Sequence, residues 1–167
     1  NSQSEEEEEE EESSGEVGQI GPALLFTGDH VFIGGCGAFF EGSPQNMYAS
    51  TEKLKRSINE LFPGYGESNK DSVLVLCGHE YTLMCLYAIV RRVPTNLAAK
   101  IKYRWATERR MRGQPTVPSP WYDELQYNPY LRTDSEELRR LFNCDDPVRI
   151  MHLLYEMATA AVTSGGS

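Results

Sequence analysis

The chain has 167 residues, of which 40% are hydrophobic, so it is long enough for one domain with a buried core, or for two small ones. Its formal net charge is −9, but residues 5–12 and Glu16 hold nine of the 25 acids, which leaves 16 acids against 16 Lys and Arg elsewhere. Because acidic and basic residues are equal in number outside this acidic segment, the composition argues against a basic nucleic-acid-binding protein. No apolar run reaches the roughly 18 residues of a membrane span.

Residues 1–16 consist mainly of Ser and an unbroken run of eight Glu. Such a segment has little apolar surface to bury and its charges repel one another, so we expect it to be disordered. An acidic interaction tail is the alternative. We assign no chemistry to the segment.

The four cysteines form no C-x-x-C pair. This spacing favours neither a zinc ribbon nor a disulfide framework. The first residues are polar and acidic, unlike a secretory or transit peptide. We therefore expect a reducing compartment, the cytoplasm, with the mitochondrion as the alternative.

Two short apolar runs open the folded part, residues 23–26 and 31–33, and Gly and Asp stand between them. Their composition predicts two paired strands joined by a turn. The Gly34–Gly37 cluster that follows predicts a loop in which backbone segments approach closely.

A helix is predicted from Gln45 to Phe62, because apolar residues recur there at helical spacing and Pro63-Gly64 follows. The continuous apolar run Val73–Cys77 predicts a strand buried on both faces. Polar residues, Gly78–Tyr81, come directly after it.

The chain after Tyr81 has the pattern of a helical region, with a proline-rich connector at 115–120. We place a boundary here, between an α/β segment at 17–80 and a helical region at 81–167. The predicted helices are 83–92, 96–112, 121–127, 135–142 and 147–161.

Asp29 and His79 are the strongest candidates for chemistry. Asp29 lies in a predicted turn and His79 follows a buried strand, and strand ends are where α/β folds assemble sites. A carboxylate and an imidazole are ligands that suit zinc or iron. From the residues alone, a turn-capping Asp and a hydrogen-bonded His remain the simpler interpretation.

Other candidates are weaker. His30 should point away from Asp29 if both lie in a strand, and His152 falls in an apolar helix, so neither is assigned to a site. Residues 81–112 contain eight Lys or Arg and one acid, Glu108, for which a solvated face is the simplest interpretation. No nucleophile elbow or phosphate-binding loop is present.

Five segments in order resemble the glyoxalase II family, the hydroxyacylglutathione hydrolases of the metallo-β-lactamase superfamily. They are Leu25–Phe32 (LFTGDHVF), Gly35–Gly42 (GCGAFFEG), Cys77–Thr82 (CGHEYT), Pro115–Ser119 (PTVPS) and Asn128–Arg132 (NPYLR). The resemblance implies an α/β fold, the C-terminal half of a metallo-β-lactamase αβ/βα sandwich, followed by an all-helical C-terminal domain for the substrate.

The resemblance also implies a catalytic site. Asp29 and His79 occupy the positions of two ligands of a binuclear metal centre, zinc with iron or manganese as alternatives, and Asp29 would also orient the attacking water. The activity implied is hydrolysis of S-D-lactoylglutathione-type thioesters to D-lactate and a thiol, in methylglyoxal detoxification. The family's T-H-x-H-x-D-H segment is absent from this chain. We therefore expect the 167 residues to be inactive alone.

The thiol-carrier site is implied at Phe39, Phe40 and Tyr81. Glutathione-using members commonly have Lys and Tyr where this chain has Ala38 and Phe40. The sequence is more similar to the kinetoplastid variety, whose carrier is trypanothione, a glutathione–polyamine conjugate. A truncated, non-catalytic binding or scaffold protein is the main alternative, and a persulfide dioxygenase of the same superfamily fits less well.

Overall fold

The computed structural model describes residues 21–39 and 41–164, with backbone alone at 159–164. The predicted acidic segment and Phe40 lie outside the described residues. The strands are β1 (Ala23–Gly28), β2 (Val73–Cys77) and β3 (Ser119–Pro120). The helices are α1 (Pro44–Leu61), α2 (Thr82–Arg92), α3 (Leu97–Met111), α4 (Trp121–Tyr127), α5 (Glu136–Phe142) and α6 (Pro147–Ser164), with short 3₁₀ helices at Glu67–Ser72 and Pro129–Leu131.

The described part is a helix-rich α/β structure with a small sheet in the order β1-β2-β3. β1 runs parallel to β2, from Ala23 beside Val73 to Gly28 beside Cys77, with an irregularity before Gly28. The predicted strand at 73–77 is confirmed, but Val73 and Val75 are buried while Leu74 and Leu76 are half-buried, so the expected burial on both faces is wrong. The strand predicted at 23–26 extends to Gly28. The two-sheet sandwich remains a prediction.

The expected pairing of 23–26 with a second strand at 31–33 is wrong. Residues 31–33 form a tight turn in which Phe32 makes an isolated bridge to Gly35. Their apolar side chains are nonetheless buried, with Ile33 fully inaccessible. The apolar run therefore indicates burial in the core rather than strand pairing.

The proline-rich connector contributes a third strand. β3 lies antiparallel to β2, with Ser119 beside Val75 and Pro120 beside Leu74. A cis peptide bond joins Val117 and Pro118 just before it. The helical region is therefore not entirely helical, since it completes the sheet that begins in the α/β segment.

Helix α1 begins with a reciprocal cap. The Asn46 backbone N–H donates to the Ser43 hydroxyl at 3.2 Å, and the Ser43 backbone N–H donates to the side-chain Oδ1 of Asn46 at 3.0 Å. Ile58 on this helix is buried, whereas Leu61, expected on the same packed face, is exposed. The helix covers the sheet through a cluster that also contains Trp121 and Leu131.

A second cluster joins the remaining helices. Its most buried members come from α2, α3, α5 and α6. Separately, none of the described helices is long and apolar enough to cross a membrane. The cluster includes Leu86, Ala99, Ala106, Leu138, Ile150 and Met151. The five helices predicted after Tyr81 are all present, with ends that differ by at most three residues.

Candidate functional site

Asp29 and His79 meet at the carboxyl edge of the sheet. Asp29 follows β1 and His79 follows β2 with one residue between, and because these strands are parallel their ends lie side by side. The His79 Nε2 atom lies 3.7 Å from Asp29 Oδ1, and each side chain is 53% exposed. The pair can therefore be reached by a ligand from solvent.

Glycines allow this approach. The Gly78 N–H donates to the Gly28 carbonyl at 2.8 Å, and a Cβ at position 78 would lie 2.7 Å from Asp29 Oδ1. Gly28 itself has a φ of +52°, in the left-handed region that glycine adopts without strain. A side chain at position 78 would therefore crowd the Asp29 carboxylate, whereas one at position 28 would meet open space and be disfavoured by the backbone conformation alone.

The glycine-cluster loop fixes the backbone of Asp29. The Gly37 N–H donates to the Asp29 carbonyl at 2.7 Å, and a Cβ at position 37 would stand 2.3 Å from that oxygen. Gly35 is equally confined, because a Cβ there would lie 2.7 Å from the sulfur of Cys85. The Gly34–Gly37 cluster therefore forms a loop in which other segments of the chain approach the backbone closely, as its composition predicts.

The His79 ring is held by two aromatic neighbours. Tyr81 stacks on it with ring centroids 5.1 Å apart, and Phe32 meets it edge-on at 6.1 Å. Phe32 also packs edge-on against Tyr81 at 5.4 Å. Tyr81 is 43% exposed, so part of this residue lies at the surface beside His79.

A pocket of about 440 Å³ opens beside Asp29, between the glycine-cluster loop and the start of α1. Phe39 lines it, and this ring stacks on Tyr155 with centroids 4.0 Å apart. The Phe39 N–H also donates to the Tyr155 hydroxyl at 3.3 Å. The loop is thereby tied to α6, a contact that sequence analysis missed because the two residues are far apart along the chain.

His30 lines the same pocket as Asp29, contrary to the expectation that it points away. The reason is that residues 29–30 lie in a turn rather than in a strand. The His30 Nε2 atom lies 3.2 Å from the Thr51 hydroxyl, and burial lowers the pKa of its imidazole. His152 pairs with Glu156 at 3.1 Å on α6.

The donor set at the sheet edge fits part of a metal site. A carboxylate and an imidazole converge, and this pair of ligand types suits zinc, iron or manganese. Across residues 21–39 and 41–164, no group of three His, Cys, Asp or Glu side chains is placed to hold an ion. Burial raises the pKa of Cys85 to about 12, so that thiol is neutral.

Comparisons with known proteins point to one family. Residues 80–159 match the family described as Hydroxyacylglutathione hydrolase C-terminus. The chain is similar to the hydroxyacylglutathione hydrolase-like protein of Gallus gallus, with 34% identity over 83% of this chain and 45% of the relative. It is also similar to the cytoplasmic hydroxyacylglutathione hydrolase of Arabidopsis thaliana, with 34% identity over 76% of this chain and 45% of the relative.

The hydroxyacylglutathione hydrolase of Alkalilimnicola ehrlichii is 38% identical over 76% of this chain and 45% of its own length. These matches show that the chain carries the C-terminal region of the hydroxyacylglutathione hydrolase family, also called glyoxalase II. The chain spans about half the length of these relatives.

Proposed function

We propose that this chain is the C-terminal part of a metal-dependent hydrolase of hydroxyacyl thioesters, which releases a hydroxy acid and a free thiol. The observation that carries the proposal is the approach of Asp29 to His79, 3.7 Å apart at two adjacent strand ends, in a chain similar to proteins named hydroxyacylglutathione hydrolase. S-D-lactoylglutathione is the substrate expected for that family.

Asp29 and His79 would hold the metal ion together with ligands from a segment outside this chain. A metal ion held by these residues would supply Lewis-acid chemistry, lowering the pKa of a bound water molecule and polarising the thioester carbonyl. Zinc is the metal we favour, with iron and manganese as alternatives. The exposed half of the Asp29 carboxylate would accept a hydrogen bond from the attacking water and so orient it toward the substrate.

The segment outside this chain that would supply the other ligands would also have a role in the fold. Leu24 and Phe26 project from β1 with 54% and 74% of their surfaces exposed. We propose that this apolar face packs against the other half of a metallo-β-lactamase sandwich, which would bring the additional ligands to the sheet edge.

The thiol carrier would bind beside the pair. Tyr81 offers a half-exposed phenol ring stacked on His79, with ring centroids 5.1 Å apart, and Phe39 offers an apolar wall in the pocket next to Asp29. Phe40, outside the described residues, is proposed to share this wall. Ala38 supplies no cation for a glutathione carboxylate, which favours trypanothione as the carrier.

The alternative is a non-catalytic binding module. It is favoured because, among the described residues, Asp29 and His79 are two possible metal ligands without a third beside them. Hydrolysis assays separate the two. The full-length gene product should hydrolyse lactoylglutathione or its trypanothione counterpart and lose this activity on metal chelation. The 167-residue chain with added zinc should be inactive, since catalytic zinc has about three protein ligands. A full-length protein that binds the thioester but never cleaves it would support the binding module.

A further inference from the structure

Helix α4 contains a carboxylate that the surrounding fold encloses completely. Glu124 has no exposed surface, and its Oε2 accepts hydrogen bonds from the Gly34 N–H at 2.9 Å and from Asn128 Nδ2 at 3.3 Å. Its Oε1 accepts from the Ser119 hydroxyl at 2.9 Å and from the Tyr127 hydroxyl. Burial raises the pKa of this carboxyl, and the bonds from Tyr127, Gly34 and Ser119 offset part of the rise. Burying a carboxylate costs free energy unless such partners satisfy it.

Gly34 belongs to the tight turn at residues 32–35. Asn128, directly after α4, donates hydrogen bonds to backbone carbonyl groups of the same turn. Its Nδ2 donates to the Phe32 carbonyl at 3.1 Å and to the Gly35 carbonyl at 3.0 Å. Phe32 and Gly35 also exchange two backbone hydrogen bonds, at 2.9 and 3.2 Å. Glu124 and Asn128 together therefore bond to Phe32, Gly34 and Gly35, about 90 residues earlier in the chain.

This turn is in contact with the residues around both members of the candidate pair. Phe32 packs edge-on against the His79 and Tyr81 rings. Two residues after the turn, the Gly37 N–H bonds to the Asp29 carbonyl at 2.7 Å. A displacement of the turn would therefore move the aromatic support of His79 and the backbone anchor of Asp29 together.

We infer that Glu124 and Asn128 are positioning residues that hold the 32–35 turn and, through it, the relative placement of Asp29 and His79. They touch neither side chain of the pair and act through Phe32 and the loop to Gly37. The inference rests on the proposed function in treating the pair as the reacting site. It gives the C-terminal region the task of aligning that site, in addition to binding substrate.

The test compares Glu124→Gln and Asn128→Ala with Tyr127→Phe in the full-length protein, without added thioester. Tyr127→Phe is the matched control, because it removes a hydroxyl bonded to Glu124 but no bond to the turn. Amide hydrogen exchange is measured at Gly35 and Gly37 and, as a reference, at Leu154 in α6. NMR signals of the His79 ring protons report the aromatic packing in the native state.

Both turn variants should accelerate exchange at Gly35 and Gly37 about tenfold or more relative to Leu154, because each weakens or removes hydrogen bonds that hold the turn. Both should shift the His79 ring signals, and Tyr127→Phe should do neither. Equal acceleration at Leu154, or unchanged His79 signals in both variants, would show that these residues only stabilise the fold and would overturn the inference.

If Glu124→Gln fails to fold, Asn128→Ala decides the question, because it leaves the bonds from Gly34 and Ser119 to Glu124 in place. These measurements require no hydrolysis. A full-length protein without thioesterase activity would therefore refute the proposed function and leave the exchange and NMR results standing. Unchanged exchange in an active enzyme would refute only the positioning role.

Discussion

Glu80 accepts two hydrogen bonds from Thr116, one from its backbone N–H and one from its hydroxyl, both at 2.7 Å. The Thr116 and Thr82 hydroxyls lie 2.8 Å apart, and Arg110 lies 3.6 Å from the same Glu80 oxygen. Since Glu80 directly follows His79, this contact anchors the end of β2 to the proline-rich connector.

Replacing Thr116 with Val should destabilise the chain by about 1–3 kcal/mol, because it removes a buried hydroxyl that donates to a carboxylate. Urea unfolding followed by circular dichroism measures the change. Thr107→Val is the matched control: its hydroxyl donates to the Tyr103 carbonyl within α3, and its loss should change stability by less than about 0.5 kcal/mol. Equal effects of the two substitutions would contradict the anchoring role of Thr116.

Gly37→Ala should disrupt the loop beside Asp29, because its Cβ would stand 2.3 Å from the Asp29 carbonyl oxygen. We expect a loss of more than about 2 kcal/mol in the free energy of unfolding or a local opening of the loop, seen as faster amide exchange at residues 35–37. Gly42→Ala, in the same loop but with its nearest neighbour at 3.8 Å, should change neither. A Gly37→Ala variant with native stability and exchange would show that the loop can relax.

Glu137 should make stability depend on pH. Partial burial alone would raise the pKa of its carboxyl, but hydrogen bonds from Thr95, Arg132 and Asn96 bring the pKa below the usual value. A depressed pKa means that the stabilisation is present above the ordinary Glu pKa of about 4.3 and is lost as pH falls through the lower, folded-state value.

Glu137→Gln should therefore be less stable than the parent chain at pH 7, and the difference should shrink at about pH 3. Urea unfolding at the two pH values gives both numbers. Glu136→Gln removes an exposed ion pair with Arg140 and should change stability by less than about 1 kcal/mol at either pH. A Glu137→Gln difference that is constant with pH would contradict the assignment.

The carrier thiol can be tested in the full-length protein. Without a cation at Ala38, we expect kcat/KM for the lactoyl thioester of trypanothione to exceed that for lactoylglutathione by about tenfold, the effect of one charge-assisted hydrogen bond. Ala38→Lys combined with Phe40→Tyr should recover part of the glutathione activity. Steady-state kinetics with both thioesters measures this, and equal use of the two by the parent enzyme would refute the trypanothione proposal.

Local sequence patterns predicted the elements whose partners are close in the chain. The buried strand Val73–Cys77 and the helices after Tyr81 follow from apolar runs, spacing and caps. The run at 31–33 was misassigned because its backbone bonds to Asn128, a partner that no local pattern reveals. β3 was missed because two residues that include a proline carry no strand signal.

Only part of the candidate site could likewise be predicted from local sequence. Their positions at strand ends made Asp29 and His79 candidates, but a turn cap and a hydrogen-bonded histidine were the simpler interpretation until the family resemblance was considered. The contact of Phe39 with Tyr155 spans 116 residues and that of Gly34 with Glu124 spans 90, so both depend on tertiary packing. A glutamate in an ordinary helical pattern gives no sign that it will be buried.

The most direct test of the account is thioester hydrolysis by the full-length protein with Asp29 and His79 replaced in turn. Removing residues that only support a ligand typically costs about 10–100-fold, so loss of a ligand itself should lower kcat/KM for lactoylglutathione or lactoyl-trypanothione by about 100-fold or more. His152→Ala, which alters a histidine paired with Glu156 on α6, is the control and should remain within about threefold of the parent enzyme. We expect Asp29→Asn and His79→Ala to show this loss together with reduced bound metal. Full activity and full metal content in either variant would contradict the assignment of the pair as the catalytic metal ligands.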